Sequence, residues 1–416
     1  MILSNSLVSP STCLVLLVLL ACLPWASSFG SSSRQHPTTF AKPHPFPLLR
    51  EPISQSALQA AASSSSDTSN QETNILPYYE ERQVLLDTGV SMKVTLGGLE
   101  NQQQQSNNNN NKPLLVFLHG SFHGGWCWTE HFFDHYIAQG YTVVAPCWRG
   151  TGGTYAGDGV QKVQIQQHVA DLESLLQQLP SIIRESTNAT ATASSISPED
   201  VIAKPVLIAH SFGSLAVMKL LQLHPEYSRL IRGIAMMCGV PPSGNGRMTM
   251  RFLRKSLVQS YKITVGFAMK KCLTNAALCR DLFFGGPPVV LVERQEDATK
   301  TSMLDDHGIS DADIQRYQGY FARDSAATID LFDLAKQLPS AVAVEGGKAP
   351  FDLPPARMVL GARQDFIVDR EGVEETARFF DIQEPVYVDS PHDVMLGSQW
   401  TNAAHALDRF LEDHFS

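Results

Sequence analysis

Charge is scarce in this chain, and it is unevenly spread. Asp, Glu, Lys and Arg together make up 18% of the 416 residues, and the formal net charge is −9. A phosphate-binding protein needs a cationic face, so nucleic acid is not an expected partner. Cysteine is sparse as well. Of seven, Cys13 and Cys22 lie near the start, and Cys127, Cys147, Cys238, Cys272 and Cys279 are scattered with no C-x-x-C spacing. That pattern fits neither a zinc site nor a disulfide framework, and leaves mostly reduced core thiols. Long apolar runs are missing too. The longest, CLVLLVLLACL at 13–23, falls short of the roughly 20 residues that span a bilayer. It has the length of a signal-peptide core. The small residues Ala26, Ser27 and Ser28 suit cleavage just before Phe29, so residues 1–28 read as a signal peptide.

Acid is absent altogether from residues 1–50, where the only charged side chains are Arg34, Lys42 and Arg50 among many Ser, Thr and Pro. A hydroxylated, basic, acid-free stretch at 29–50 has the composition of a transit peptide. The two segments in tandem, with Ala-Ser-Ser-Phe at the junction, resemble the bipartite presequence used by plastids of secondary origin. The expected location is therefore the plastid, with secretion or the endomembrane system as the alternative. Residues 51–79, rich in Ser, Ala and Gln, read as a linker.

From residue 80 the pattern is that of a folded domain, and 43% hydrophobic residues are enough for a sizeable core. Arg82–Leu86 and Met92–Leu96 flank Asp87-Thr88-Gly89 and read as a hairpin. Apolar strands are expected at 113–118, 141–145, 205–209, 231–237, 357–360 and 385–388. Helices are expected at 129–139, 163–179, 212–223, 371–380 and 400–414. Strands apolar on both faces, alternating with helices, imply a mostly parallel sheet of about eight strands covered by helices. Two polar tracts, 101–111 (NQQQQSNNNNN) and 185–200, read as disordered loops. The second carries a glycosylation sequon at Asn188. The core is thus expected in two parts, 80–240 and 356–416, with a helical cap inserted at 241–355.

The chemistry-bearing string is Val206-Leu207-Ile208-Ala209-His210-Ser211-Phe212-Gly213-Ser214. An apolar strand enters a small-x-Ser-x-Gly turn and an apolar helix leaves it. This resembles the nucleophile elbow of the α/β-hydrolase superfamily, with Ala209 where the consensus has Gly. A serine hydroxyl is a poor nucleophile until a base removes its proton and an acid orients that base. The resemblance implies chain order Ser, acid, His. Asp365 stands just past the 357–360 strand, with Asp369 as competitor. His392 stands between the last strand and the last helix. It also implies an oxyanion hole made by the N–H of Phe212 and of Ser121, the latter in His119-Gly120-Ser121-Phe122-His123-Gly124-Gly125-Trp126-Cys127-Trp128, with Phe122 as fallback. This string is similar to the small-ester hydrolase and hydroxynitrile lyase branch. The likeness covers 80–240 and 355–414 and does not extend to the cap. His119 and His123 lie in a Gly-rich, non-helical segment with no carboxylate at metal spacing, so no metal is expected. Trp126 and Trp128 are expected to pack the core or line the pocket, and Arg149-Gly150-Thr151-Gly152 to be structural.

The cap opens with an imbalance. Residues 241–280 hold eight basic residues and no acid. Met250, Leu253, Leu257 and Tyr261 would share one helical face, with Arg251, Arg254, Lys255 and Lys262 beside it. This reads either as a helix solvating its charges or as a basic amphipathic lid that meets an anionic lipid surface or anionic substrate. The expected activity is a serine hydrolase that cleaves a carboxylic ester, esterase- or lipase-like, acting on a small-molecule or lipid ester through Ser211, Asp365 and His392 without a cofactor. The alternatives are a lyase or acyltransferase using the same triad, or a non-catalytic ligand receptor.

Overall fold

A computed structural model describes residues 79–99, 112–186, 204–285 and 309–415. The expected signal peptide, transit peptide and nearly all of the linker lie outside the described residues. So do the tract 101–111, the sequon, and 185–200 beyond its first two residues.

The chain enters as an antiparallel hairpin, β1 (Tyr79–Leu85) and β2 (Ser91–Gly97), turning at Asp87-Thr88-Gly89. It then alternates strands with helices: β3 (Leu115–Leu118), α1 (Phe132–Ala138), β4 (Val143–Pro146), β5 (Lys162–Val163), α2 (Ile165–Ser186), β6 (Val206–His210), α3 (Phe212–Leu223) and β7 (Gly233–Met237). After a helical stretch come β8 (Thr328–Ile329), β9 (Ala356–Ala362) and β10 (Val386–Val388). Eight of these strands form one sheet in the order β1-β2-β4-β3-β6-β7-β9-β10, parallel from β4 onward. This is the α/β-hydrolase fold. Every residue of β3, β4, β6 and β7 is buried, as strands covered on both faces must be. From β3 the chain steps to β4 on one side and later to β6 on the other. The carboxyl ends of β3 and β6 therefore flank the point where the winding reverses, which is where open α/β sheets bind ligands.

Several local expectations shift. The helix expected at 163–179 runs on to Ser186 through Pro180, because the buried Ile182 and Ile183 continue its apolar stripe. The segment 129–139 is two pieces, a short turn Trp126–Thr129 and α1. Between them His131 leaves helical geometry and stacks on Trp400 at 5.0 Å. The first cap segment is not one continuous helix. Ser256 adopts extended backbone (φ −157, ψ 111) and its hydroxyl caps a new helix, so α4 (Asn245–Lys255) and α5 (Leu257–Ile263) are separate. Further along, α6 (Asp311–Arg323) precedes β8, which pairs with β5 in a small two-stranded ladder. The chain closes with α7 (Arg370–Phe379), β10 and α8 (Trp400–Phe415).

Candidate active site

The turn between β6 and α3 sets the site. Ser211 has φ 51 and ψ −115, a conformation that L-residues avoid and that costs on the order of 1–3 kcal/mol. It is held there by Ser211 N–H donating to Met237 O at 3.1 Å, and by the Ser211 carbonyl accepting from Ser214 and Val240. Small neighbours make the turn feasible. A Cβ on Gly213 would lie 2.8 Å from the Leu118 carbonyl oxygen, and one on Gly120 would lie 2.9 Å from Ser211 Cβ. Ala209 fills the consensus-glycine position as a wholly buried residue of β6.

The structure brings the three expected triad residues together. His392 Nε2 lies 3.2 Å from Ser211 Oγ, and His392 Nδ1 lies 2.8 Å from Asp365 Oδ2. The other Asp365 oxygen accepts from the Ile367 and Val368 amides at 2.7 and 2.8 Å, which fixes the carboxylate. Burial alone would depress the His392 pKa. The adjacent Asp365 carboxylate, helped by Asp393, outweighs it and raises the pKa above 6.5. The competitor Asp369 is occupied elsewhere: it caps α7 through Gly372 N–H and makes a bidentate pair with Arg251.

Gly120 abuts Ser211, so the loop after β3 lies directly beside that serine. Among the described residues, neither Ser121 N–H nor Phe212 N–H has a hydrogen-bond partner. Phe122, the fallback, has positive φ (67°) and is buried.

Around this relay lies a polar frame that sequence reasoning missed. His123 Nε2 faces Asp393 Oδ2 at 3.0 Å, both groups fully or almost fully buried, and so ties the loop after β3 to the residue after His392. His210 Nε2–H donates to the His392 carbonyl at 3.0 Å. Asp393 N–H donates to Phe283 O of the cap at 3.0 Å. The buried Cys238 thiol, φ 48, sits beside the acid. Burial and the Asp365 carboxylate both push its pKa up, so it stays protonated. Cys127, Cys147, Cys272 and Cys279 are likewise buried free thiols. His119 accepts the Trp148 amide at Nε2 (3.1 Å) and faces Gly120 O with Nδ1 (2.8 Å), so it braces the loop. Burial lowers its pKa to about 4. Trp126 stacks on His123 and donates to buried Asp324 of the cap at 2.8 Å, while Trp128 packs against Phe117 in the core. Arg149 pairs bidentately with buried Asp171.

Two trios, the buried His210/His392/Asp393 and the mostly buried Cys238/Asp365/His392, bring ligand-type atoms within 4.8 Å of one another. Both include His392, whose two ring nitrogens already face Asp365 and Ser211, so a metal at Nδ1 or Nε2 would break the relay rather than serve it. The cap closes over the site, leaving Ser211 5% exposed and His392 1% exposed. Phe283 lies 6.4 Å from the His392 ring, and its own neighbour Phe321 packs on His123.

A strained serine between a parallel strand and a helix, with histidine and aspartate delivered from two later strand ends, defines an α/β-hydrolase. The Alpha/beta hydrolase family matches residues 115–407, and the chain belongs to it. No match was found among curated proteins. Similar solved structures include an epoxide hydrolase from Vigna radiata (18% identity, TM-score 0.47, covering 80% of this chain and 97% of that one). Others are an esterase from Exiguobacterium antarcticum (12%, 0.47, 80% and 100%) and a thermophilic esterase from Thermogutta terrifontis (15%, 0.48, 82% and 100%).

Proposed function

We propose that the protein is a serine hydrolase that cleaves a carboxylic ester through an acyl-enzyme. The observation that carries this reading is the Asp365–His392–Ser211 relay, at 2.8 and 3.2 Å, on a serine held in strained geometry. His392 takes the proton as Ser211 Oγ attacks the carbonyl carbon. The Phe212 and Ser121 amides receive the oxyanion. Collapse expels the alcohol, which takes the proton from His392. Water then repeats the sequence on the acyl-serine and releases the acid. Asp365 holds the imidazole in the tautomer with Nδ1–H and stabilises the imidazolium.

The nucleophile's chemistry supports an acyl substrate. Serine attack on an epoxide or alkyl halide would leave an ether that water cannot cleave, whereas an acyl-serine is an ester that the same machinery can hydrolyse. The expected lipid or acyl ester substrate, and the plastid location, belong to this proposal. Hydrolysis of an ester panel of graded chain length in isotopically labelled water tests it. Label should enter the acid product, and Ser211→Ala should abolish turnover. Label absent from the acid, with the acyl group passed to an alcohol or a carbonyl eliminated instead, would replace hydrolysis with the transferase or lyase reading.

A further inference from the structure

The cap carries a surface that the catalytic reading does not use. From Arg247 to Lys271, every exposed residue among those described is apolar or cationic. The apolar ones are Met250, Leu257, Val258, Tyr261 and Met269; the cationic ones are Arg247, Arg254, Lys255 and Lys271. Val258 alone is 66% exposed. Five large apolar side chains left in water within 25 residues, with cations and no exposed acid among them, form a concentration that a contact surface would use.

The charges decide what kind of contact. The sequence pointed to Arg251, Arg254, Lys255 and Lys262, and the structure divides them. Arg251 is paired with Asp369 at 2.6 Å, Lys255 with Glu371 at 2.7 Å and Lys262 with Asp281 at 2.6 Å. These pairs pin α4 and α5 to the core and to the cap's own turns. Arg254, together with Arg247 and Lys271, has no ion-pair partner among the described residues. On α4 the spacing 247–250–254 puts Arg247, Met250 and Arg254 on one face. On α5 Tyr261 neighbours both Leu257, at i,i+4, and Val258, at i,i+3. Apolar side chains flanked by free cations, with an aromatic hydroxyl among them, match a bilayer interface whose headgroups are anionic. The rest of a chain with net charge −9 would be repelled by that surface, which orients the encounter.

We propose that α4, α5 and the turn after them dock the protein on an anionic phospholipid surface. The other side of α5 packs beside the segment that carries Asp365: Gln259 donates to the Phe366 carbonyl at 3.3 Å, one residue past Asp365. A surface met through α5 would therefore lie one helix away from the segment that holds Asp365. This placement deepens the ester-hydrolase reading and rests on it for the substrate, while the docking itself does not.

The test is co-flotation of the full chain with vesicles of phosphatidylcholine alone, or of phosphatidylcholine with phosphatidylglycerol. The reading is the difference between the two lipids, since any apolar leader is common to every sample. Binding should favour the anionic vesicles and weaken with salt. The double variant Val258→Asp/Tyr261→Asp should lose at least tenfold in affinity. The charge reversals Arg247→Glu and Arg254→Glu should each lose about fivefold or more, since each cation near such a surface adds roughly that factor. Turnover of a short soluble ester by the same variants should stay at the wild-type level, which also shows that they fold. Equal binding by wild type and variants, or no preference for anionic lipid, overturns docking. So does a change in oligomeric state confined to the variants, which would make the face a contact between copies. Absent ester turnover with intact anionic binding would overturn the catalytic reading instead.

Discussion

His392 is where local chemistry determines behaviour. Its pKa is raised above 6.5, and it acts as a base only when neutral. The kcat/KM on a soluble ester should therefore rise with pH through an inflection above 6.5. Asp365→Asn removes the carboxylate that raises that pKa and also releases the tautomer. The inflection should move down and kcat should fall about 10⁴-fold. A pH profile that is flat across this range, or unmoved in the variant, would show that His392 is not the base. Ser211→Ala should cost on the order of 10⁴ to 10⁶ in kcat. These three residues were legible in the sequence because the fold fixes their places locally, each just past a strand end. His123 and Asp393 were not. They meet across 270 positions, and nothing near either residue announces the other. Cys238 was equally silent. It follows β7 directly, but only the assembled sheet brings it beside Asp365.

Among the elements, a buried carboxylate of the cap is one of the ties to the loops that carry the site. Asp324, at the end of α6, accepts from Trp126 Nε1 at 2.8 Å and from Gly152 N–H at 2.9 Å, and pairs with its neighbour Arg323. Asp324→Ala would leave two donors without partners in a buried place. A loss of roughly 2–4 kcal/mol is expected, read as a lower denaturant midpoint at unchanged slope. A loss below about 0.5 kcal/mol would mean the cap is held by its aromatic contacts instead. The element pattern of the core was readable because strands buried on both faces are apolar throughout. The cap was not, because it is broken into separate helices whose ends are set by single polar residues. Ser256 divides what looked like one amphipathic face, and the short β5–β8 pair has too few residues to leave a periodic signal. The helix expected at 163–179 differs in the other direction, running on past Pro180 to Ser186. A buried apolar stripe on both sides of the proline kept the helix intact.

For the molecule as a whole, three buried histidines set its response to acid. Burial lowers His119 to about 4, His168 to about 3, and His210 well below 6.5. In the unfolded chain all three would titrate near 6.5. Between that value and the folded pKa values the unfolded state binds more protons, so stability falls as pH falls. Each histidine contributes about 1.4 kcal/mol per pH unit in that window. His392 has the opposite sign, its contribution being lost as pH rises through its folded pKa. Denaturant midpoints should drop steeply from pH 6.5 toward pH 4, and His168→Gln should flatten the slope. A midpoint independent of pH there would mean the histidines are not buried in the neutral form. The sequence showed thirteen histidines without showing which would be enclosed, since burial is a property of the finished fold.

The central claim is that Ser211 is the nucleophile, activated by His392. The most direct measurement is mass mapping of the adduct formed with a fluorophosphonate ester. A single adduct is expected on the peptide that contains Ser211. It should be absent from Ser211→Ala and formed far more slowly in His392→Ala. An adduct on another residue, or labelling of Ser211→Ala at the wild-type rate, would contradict the account.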